Sequence, residues 1–376
     1  MSKKKICILT SGHPPFDERI FWKFGITFVE NQLDAFIISS TENLISEKLG
    51  VNFNCFDGNN FSKNQKIEQF YKLLNDYNPD IAICCEPLTI IPANKYKRLN
   101  NRKLRIILDV TEFYPHQNTL NQFSGVMRIM KYIQLSLFNI YISNIADRII
   151  TGETYKQKLY KVIAPFKKKS IITYYAPKKY FKFNELKIND ELVFCYLGEQ
   201  TEERGFFRFL DVISQLSHSI NLRIKIILIG SSLVNQNVQN QLLKSLIDSE
   251  KIVIEHLPRI DYCDLGSLLN KSHFFIDLRE NNKIFDKSLP IRIFDYLACG
   301  RPIIFSNLNS LDEFDNMAPF VYLIDPINAK EVIRIIVAYL NKPEMYSEHC
   351  RQARKSFEGK YNWELIESKL LEVVNN

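Results

Sequence analysis

Short apolar runs alternate with amphipathic stretches along this chain, and they do so twice. In the first half the runs with strand character are Lys5–Thr10, Ala35–Ser39, Ile81–Cys85, Arg105–Val110, Arg148–Ile150 and Ile171–Tyr174. In the second half they are Leu192–Leu197, Lys225–Ile229, Ile252–Glu255, Phe274–Asp277, Pro302–Phe305 and Phe320–Ile324. The intervening stretches have helical spacing. It is clearest after Asp17, an expected N-cap, where Ile20, Phe24 and Phe28 form one face of a helix reaching about Asn31. Strands alternating with helices in this way give parallel α/β sheets.

At 376 residues the chain is long for one core. The two similar halves imply two Rossmann-like α/β domains facing a central cleft. A Lys- and Phe-rich stretch, Pro177–Ile188, marks the junction. The expected spans are residues 1–182 and 183–358, with a last helix over 359–376. In sheets of this kind ligands bind at the carboxyl ends of the strands, so the loops there are the places to look for chemistry.

The net charge of +7 is unevenly spread, with 28 Lys and Arg against 16 Asp and Glu in residues 1–187, and 21 against 26 in the remainder. A basic first half suits an anionic partner or surface, such as a membrane face, and equally a plain solvated face. The basic residues are scattered apart from Lys3–Lys5 and Lys167–Lys169, and no nucleic-acid motif accompanies them, so no nucleic-acid partner is expected. None of the eight cysteines forms a C-x-x-C pair. They read as reduced thiols of a cytoplasmic protein, with no zinc site and no other metal centre. The apolar run near the N-terminus, Ile6 to Leu9, is too short for a signal peptide. No stretch approaches the ~20 apolar residues that span a bilayer. Any membrane contact is therefore expected to be peripheral.

Four strand ends carry candidate chemistry. "TSGHPPFDERIFWK" follows the first strand, with Gly12 open to close backbone approach and His13 beside it. A Pro–Pro-stiffened connection would read the same way. "LDVTEFYPHQ" crowds Asp109, Thr111, Glu112, Tyr114 and His116 into one loop, where a carboxylate or imidazole could orient an acceptor hydroxyl or simply cap local structure. "CYLGEQTEERGFF" sets Gly198 at a strand end and Arg204–Gly205 at a helix start, a phosphate cradle in outline, though Glu199, Glu202 and Glu203 are acidic neighbours. It is neither a G-x-G-x-x-G fingerprint nor a P-loop. "EHLPRIDYCDL" places Arg259 in a loop that could hold a nucleobase or merely turn, with Asp261 as an expected helix cap.

The stretch Ser288 to Ser306, "SLPIRIFDYLACGRPIIFS", is the most unusual. Pro290 suits the first position of a helix. Ile291, Phe294, Leu297 and Ala298 form an apolar stripe that Ile293 and Tyr296 widen, so the helix should be buried nearly all round. Arg292 and Asp295 are then costly unless each meets a partner. An anionic ligand would satisfy Arg292 and sugar hydroxyls Asp295. An exposed Arg–Asp pair is the plainer alternative.

"HPPFDERIFWKFG", "LDVTEFYP", "CYLGEQTEERG" and "SLPIRIFDYLACGRPIIFS" occur in this order, and together they resemble glycosyltransferase family 4. "YNWELIESKLLEVV" resembles the family's last helix, which crosses back to the first domain. The resemblance implies the GT-B fold, with an acceptor-side first domain and a second domain that holds a nucleotide-sugar donor. It implies a retaining, metal-independent, hexosyltransferase-like enzyme with no cofactor, acting on a glycan or lipid-linked glycan acceptor in surface polysaccharide assembly. Asp295 stands where the family has the second glutamate of Glu-x7-Glu, which grips the ribose, and Lys287 stands at the first. Asp286 and Glu280 are the nearest substitutes. Arg204 replaces the usual lysine near the diphosphate, and Arg292 occupies a position that is often lysine. Thr111–Glu112 replaces a His–Asp pair, leaving His13 or His116 to compensate. The resulting expectations are Arg204, Arg292, His13 and Glu112 in catalysis, and Gly12, Gly198, Arg259, Ser288 and Asp295 in donor binding. A non-catalytic partner of the same fold and a sugar-nucleotide epimerase are the alternatives.

Overall fold

The structure is a computed structural model that describes residues 3–112, 114–115, 117–230, 250–317 and 319–376. The chain divides into two compact units, residues 1–174 with 366–376, and residues 175–365.

The first unit is built on eight strands: β1 (Lys5–Thr10), β2 (Asp34–Ser39), β3 (Glu47–Lys48), β4 (Val51–Cys55), β5 (Ile81–Cys84), β6 (Arg105–Val110), β7 (Arg148–Thr151) and β8 (Lys168–Ile171). Their order is β3-β4-β2-β1-β5-β6-β7-β8, and every pair is parallel except β3 with β4. Ile6, Ile8, Ile81, Ile83, Ile106 and Ile107 are fully buried, as strands covered on both faces must be. The helices are α1 (Ile26–Glu30), α2 (Lys63–Tyr77), α3 (Pro87–Leu99), α4 (Gln117–Asn121), α5 (Gly125–Ile145) and α6 (Thr154–Ile163).

Three local readings need correction. The strand expected at Ile171–Tyr174 lies at Lys168–Ile171, because the register on β7 pairs Arg148 with Lys168 and Thr151 with Ile171. The pairs β3 and β4 went unread, since the alternating "VNFNC" carries too little apolar residue to stand out as a run. The helix after Asp17 begins as a π-helical stretch, Ile20–Gly25, before α1. Arg19, not Asp17, occupies its cap position, and the Asp17 carboxylate accepts from the amides of Arg19 at 2.9 Å and Ile20 at 3.2 Å from two residues earlier.

The second unit has β9 (Glu191–Leu197), β10 (Arg223–Ile229) and β11 (Ile252–Leu257) in one parallel sheet, and β12 (Phe275–Asp277), β13 (Ile303–Ser306) and β14 (Val321–Ile324) in another. A parallel bridge between Phe194 and Phe274 joins β9 to the start of β12. The combined order β11-β10-β9-β12-β13-β14 is that of the dinucleotide-binding fold, reversing between the first and fourth strands. The first unit reverses at the same place, between β1 and β5. Among the described residues the α-helices of this unit are α7 (Phe206–Ser219), α8 (Tyr262–Leu269), α9 (Arg292–Ala298), α10 (Ala329–Leu340) and α11 (Pro343–Lys360). The last helix, α12 (Glu367–Asn375), belongs to the first unit, where the Arg105 guanidinium donates to the carbonyls of Val373 and Val374 at its C-terminus.

Arg301 anchors the turn after α9. It is fully buried, and its guanidinium donates to the carbonyls of Asn184, Asn270, Ser272, Cys299 and Gly300. Five carbonyls satisfy all its directions without a carboxylate. His273 is buried nearby as a neutral ring, accepting from the Val193 amide at Nδ1 and facing the Lys187 carbonyl with Nε2.

Burial lowers the His273 pKa from 6.5 to about 4. As pH falls through that window the unfolded imidazole binds a proton that the folded one refuses, so stability is lost, by up to about 3 kcal/mol. Thermal melts from neutral pH down to 4 should therefore show a fall that His273→Gln makes shallower.

Candidate functional site

The crevice where the second sheet reverses lies between β9 and β12, and the loops leaving these strands bring the charged residues together. Gly198 ends β9 at φ +118°, a conformation reserved in practice for glycine. A Cβ there would fall onto the Arg292 guanidinium, so Arg292 lies directly over the Gly198 backbone. Gly205, at φ +77°, precedes α7 and packs against the backbone of Leu278 and Arg279. The two glycine contacts draw the β9 loop against the β12 loop and against the start of α9.

Asp277, at the end of β12, is buried and paired with the Arg279 guanidinium through Nε to Oδ1 at 2.9 Å and Nη2 to Oδ2. Burial alone would raise its pKa, but Arg279, Arg292 and Arg204 together hold it below the ordinary aspartate value. Arg204 responds oppositely. Burial, then the charges of Arg292 and Arg279, lower its pKa, while Glu199 and Asp277 pull the other way. Its Nε lies 3.6 Å from Glu199, and its guanidinium stacks over Phe285 at 5.1 Å. Arg279 shares that ring at 5.5 Å. The crevice thus gathers three guanidinium groups, and each acts on the buried Asp277 carboxylate.

Asp295 is buried on α9 and accepts from the Tyr262 hydroxyl at 2.7 Å. Pro290 lies just ahead of the helix rather than at its first position, because Ile291 is the cap and Arg292 the first helical residue. Arg292 and Asp295 then share the first turn, with Ile293 through Ala298 buried. Ser288 lies half-buried in the loop entering α9, its carbonyl accepting from the Ser310 hydroxyl. Arg259 is exposed two residues beyond β11, and β10 and β9 separate that strand from β12. Asp261 occupies the cap position of α8 but makes no capping hydrogen bond with its side chain. Of the two substitutes for the missing glutamate, Asp286 is engaged by the amide and side chain of Asn309, and Glu280 is exposed.

A second crevice lies in the first unit, where β1 and β5 diverge. A cavity of about 240 Å³ there is lined by Gly12, His13, Glu86, Asp109, Glu112 and Asn139, among others. The Glu86 carboxylate organises it, accepting from Thr10 Oγ1 at 2.8 Å, the Ser11 amide at 2.7 Å and the Gly12 amide at 3.2 Å. The Gly12 amide, expected to face a donor phosphate, is given to this carboxylate. His13 stands between Glu86 and Asp17, at 3.7 and 3.6 Å. Asp109 is fully buried and held by Arg19 at 2.9 Å and by the Tyr174 hydroxyl at 2.6 Å. Glu112 is exposed at the cavity wall, and His116 lies outside the described residues.

Glu86, Arg19, Tyr174, Asp277, Arg279 and Tyr262 escaped the sequence reading. Strand order would have exposed Glu86 and Arg279, since Glu86 follows β5, the neighbour of β1, and Arg279 follows β12, the neighbour of β9, so each faces the loop after the first strand of its unit.

Both units reverse strand order in the manner of the dinucleotide-binding fold, and the solved structures that superpose on the chain show the GT-B fold of two-domain glycosyltransferases. Residues 178–356 match the model of the family Glycosyl transferases group 1. The sucrose-phosphate synthase of Thermosynechococcus elongatus superposes with a TM-score of 0.73 at 12% identity, over 99% of this chain and 98% of that one. Anabaena HepE in complex with UDP and glucose gives 0.72 at 11% identity, over 99% of both chains. WaaG, a glycosyltransferase involved in lipopolysaccharide biosynthesis, gives 0.67 at 9% identity, over 98% of this chain and 99% of that one. No curated protein sequence matches the chain.

Gly198→Ala should force the Arg292 guanidinium aside and strain the backbone. A loss of about 1–3 kcal/mol in a denaturant melt is expected. Glu86→Gln should cost about as much by weakening the bonds to Ser11 and Gly12, and the same melt reads it.

Proposed function

We propose that this chain transfers a sugar, with retention, from a nucleoside-diphosphate sugar to an acceptor hydroxyl. The observation that carries the reading is the gathering of Arg204, Arg279 and Arg292 around Asp277, with Arg292 over Gly198, within the segment that matches the glycosyltransferase model. A diphosphate is the anion this crevice fits, because its two negative charges suit guanidinium groups gathered on one side of a cleft. The complex of HepE with UDP and glucose supports the same donor class.

In this reading Arg204 and Arg292 stabilise the departing diphosphate, the largest charge that develops in the transition state. Asp295, oriented by Tyr262, accepts from ribose hydroxyls. Gly198 leaves the backbone open to the phosphates, and Ser288 flanks the entry to α9. The countercharge comes from arginine rather than from a metal ion. Arg259, remote in strand order, would act only at the outer end of the donor. In the first unit, Glu86, Asp109, Glu112 and His13 suit an uncharged, hydroxyl-rich acceptor. Their carboxylates disfavour an anionic group within the cavity. His13 and Glu112 orient the attacking hydroxyl, whose proton passes to the leaving phosphate oxygen as the new glycosidic bond replaces the old one. The acceptor is proposed to be a glycan, free or lipid-linked, in surface polysaccharide assembly at the cytoplasmic face of a membrane.

UDP or GDP in excess should raise the melting temperature, with stabilisation of about 2.7 kcal/mol at a hundredfold excess over Kd. Arg292→Ala should abolish most of that shift, and Asp295→Asn should weaken it. Transfer from a panel of nucleotide sugars should survive a chelator. A wild-type protein that shows no shift with any nucleotide would instead be a silent partner of another transferase.

A further inference from the structure

Helix α5 presents an apolar face that nothing among the described residues covers. Val126, Met130, Ile133, Leu137 and Tyr141 recur at helical spacing, and each is more than half exposed. Met127, Ile129 and Tyr132 widen the stripe over the first turns. The opposite face is the buried one, through Asn139, Ile142 and Ser143. Helix α6 adds Tyr155, Leu159, Val162 and the fully exposed Phe166 just beyond it, again in one stripe. Two hydrogen bonds tie these helices together, Tyr160 to Asn139 and Asn144 to the Ile163 carbonyl.

The charge on these elements has one sign. From residue 113 to 146 there is no Asp or Glu, and from 154 to 171 there is none either. Over the same spans the chain places Arg128, Lys131, Lys158, Lys161, Lys167 and Lys168, among others. A surface that faced water alone would carry both signs. One that met another protein through apolar contact would not need to exclude carboxylates over two separate segments. Apolar stripes on elements whose charges are all cationic, with the exposed Lys158 and Lys161 beside the stripe of α6, fit an anionic lipid surface, where the aliphatic groups enter the acyl boundary and the cations meet phosphate. The tyrosines suit the headgroup level. No helix among the described residues is long and apolar enough to cross a membrane, so the fit is to the plane of the interface.

We propose that the α5–α6 face docks the protein on an anionic phospholipid bilayer. The proposal rests on the transferase reading only for its purpose. Asn139 and Ile142, on the inner face of α5, line the same cavity as His13 and Glu86. A bilayer against the outer face therefore brings the cavity wall to the lipid surface, and the acceptor class this favours is a lipid-linked glycan.

Vesicle co-sedimentation of the full chain tests it. Binding to mixed phosphatidylcholine–phosphatidylglycerol vesicles is expected, with little binding to phosphatidylcholine alone and a decline as salt rises. The double variant Ile133→Glu with Leu137→Glu should lose binding at least tenfold, and Lys158→Glu with Lys161→Glu should lose it comparably. Both pairs are solvent-facing, and unchanged melts verify folding. Wild-type protein that stays in the supernatant, or binding that neither variant alters, overturns the proposal. So does a wild-type dimer in light scattering that Ile133→Glu with Leu137→Glu makes monomeric, because a second copy would then cover the face. The nucleotide melt is independent of all three. Its failure with vesicle binding intact removes the transferase and leaves the surface standing.

Discussion

Like charges held close together inside a protein demand an explanation, and the crevice between β9 and β12 is arranged around that demand. Arg204, Arg279 and Arg292 meet one buried carboxylate, Asp277, with Glu199 at the margin. Repulsion of this kind is sustained only because the backbone fixes each group. Arg279 is clamped by Asp277, Arg292 is seated on Gly198, and the loop before Arg204 is tied by the Tyr196 hydroxyl to the carbonyls of Glu199 and Arg204. Burial and nearby carboxylate charge raise the Tyr196 pKa, so that hydroxyl keeps its proton. A site preorganised against its own electrostatics need not reorganise when an anion arrives.

The crevice of the first unit has the same origin in strand order and the opposite electrostatic character. There the amides at the end of β1 receive a carboxylate from within the unit, Glu86, and the walls carry further carboxylates. One architecture is thus cation-rich at the crevice of one unit and acid-rich at that of the other, through the residues that follow the strands at each point of reversal.

Much of this was legible in the sequence, for identifiable reasons. Buried parallel strands are continuous apolar runs, so β1, β5, β6, β9 and β10 could be read within a residue or two. Arg292 and Asp295 stood out because charge on an apolar helix is expensive. Strands such as β4, with polar alternation, had no such contrast. Glu86 and Arg279 looked ordinary because their significance comes from a neighbouring strand far away in sequence. Pairing of this sort is written in topology, and topology is recovered only after strand order is known. The Gly12 turn lines the crevice of the first unit, and its partner, a carboxylate of the same unit, cannot be seen from the local residues.

The C-terminal helix imposes an order on synthesis. Residues 366–376 belong to the first unit, and Arg105 and Lys4 bind the carbonyls of Val373 and Val374. On the ribosome the opening 174 residues emerge with this docking position vacant, and the whole second unit is made before it is filled. The second unit, continuous in the chain, can mature first, so the half translated earlier is the one completed last.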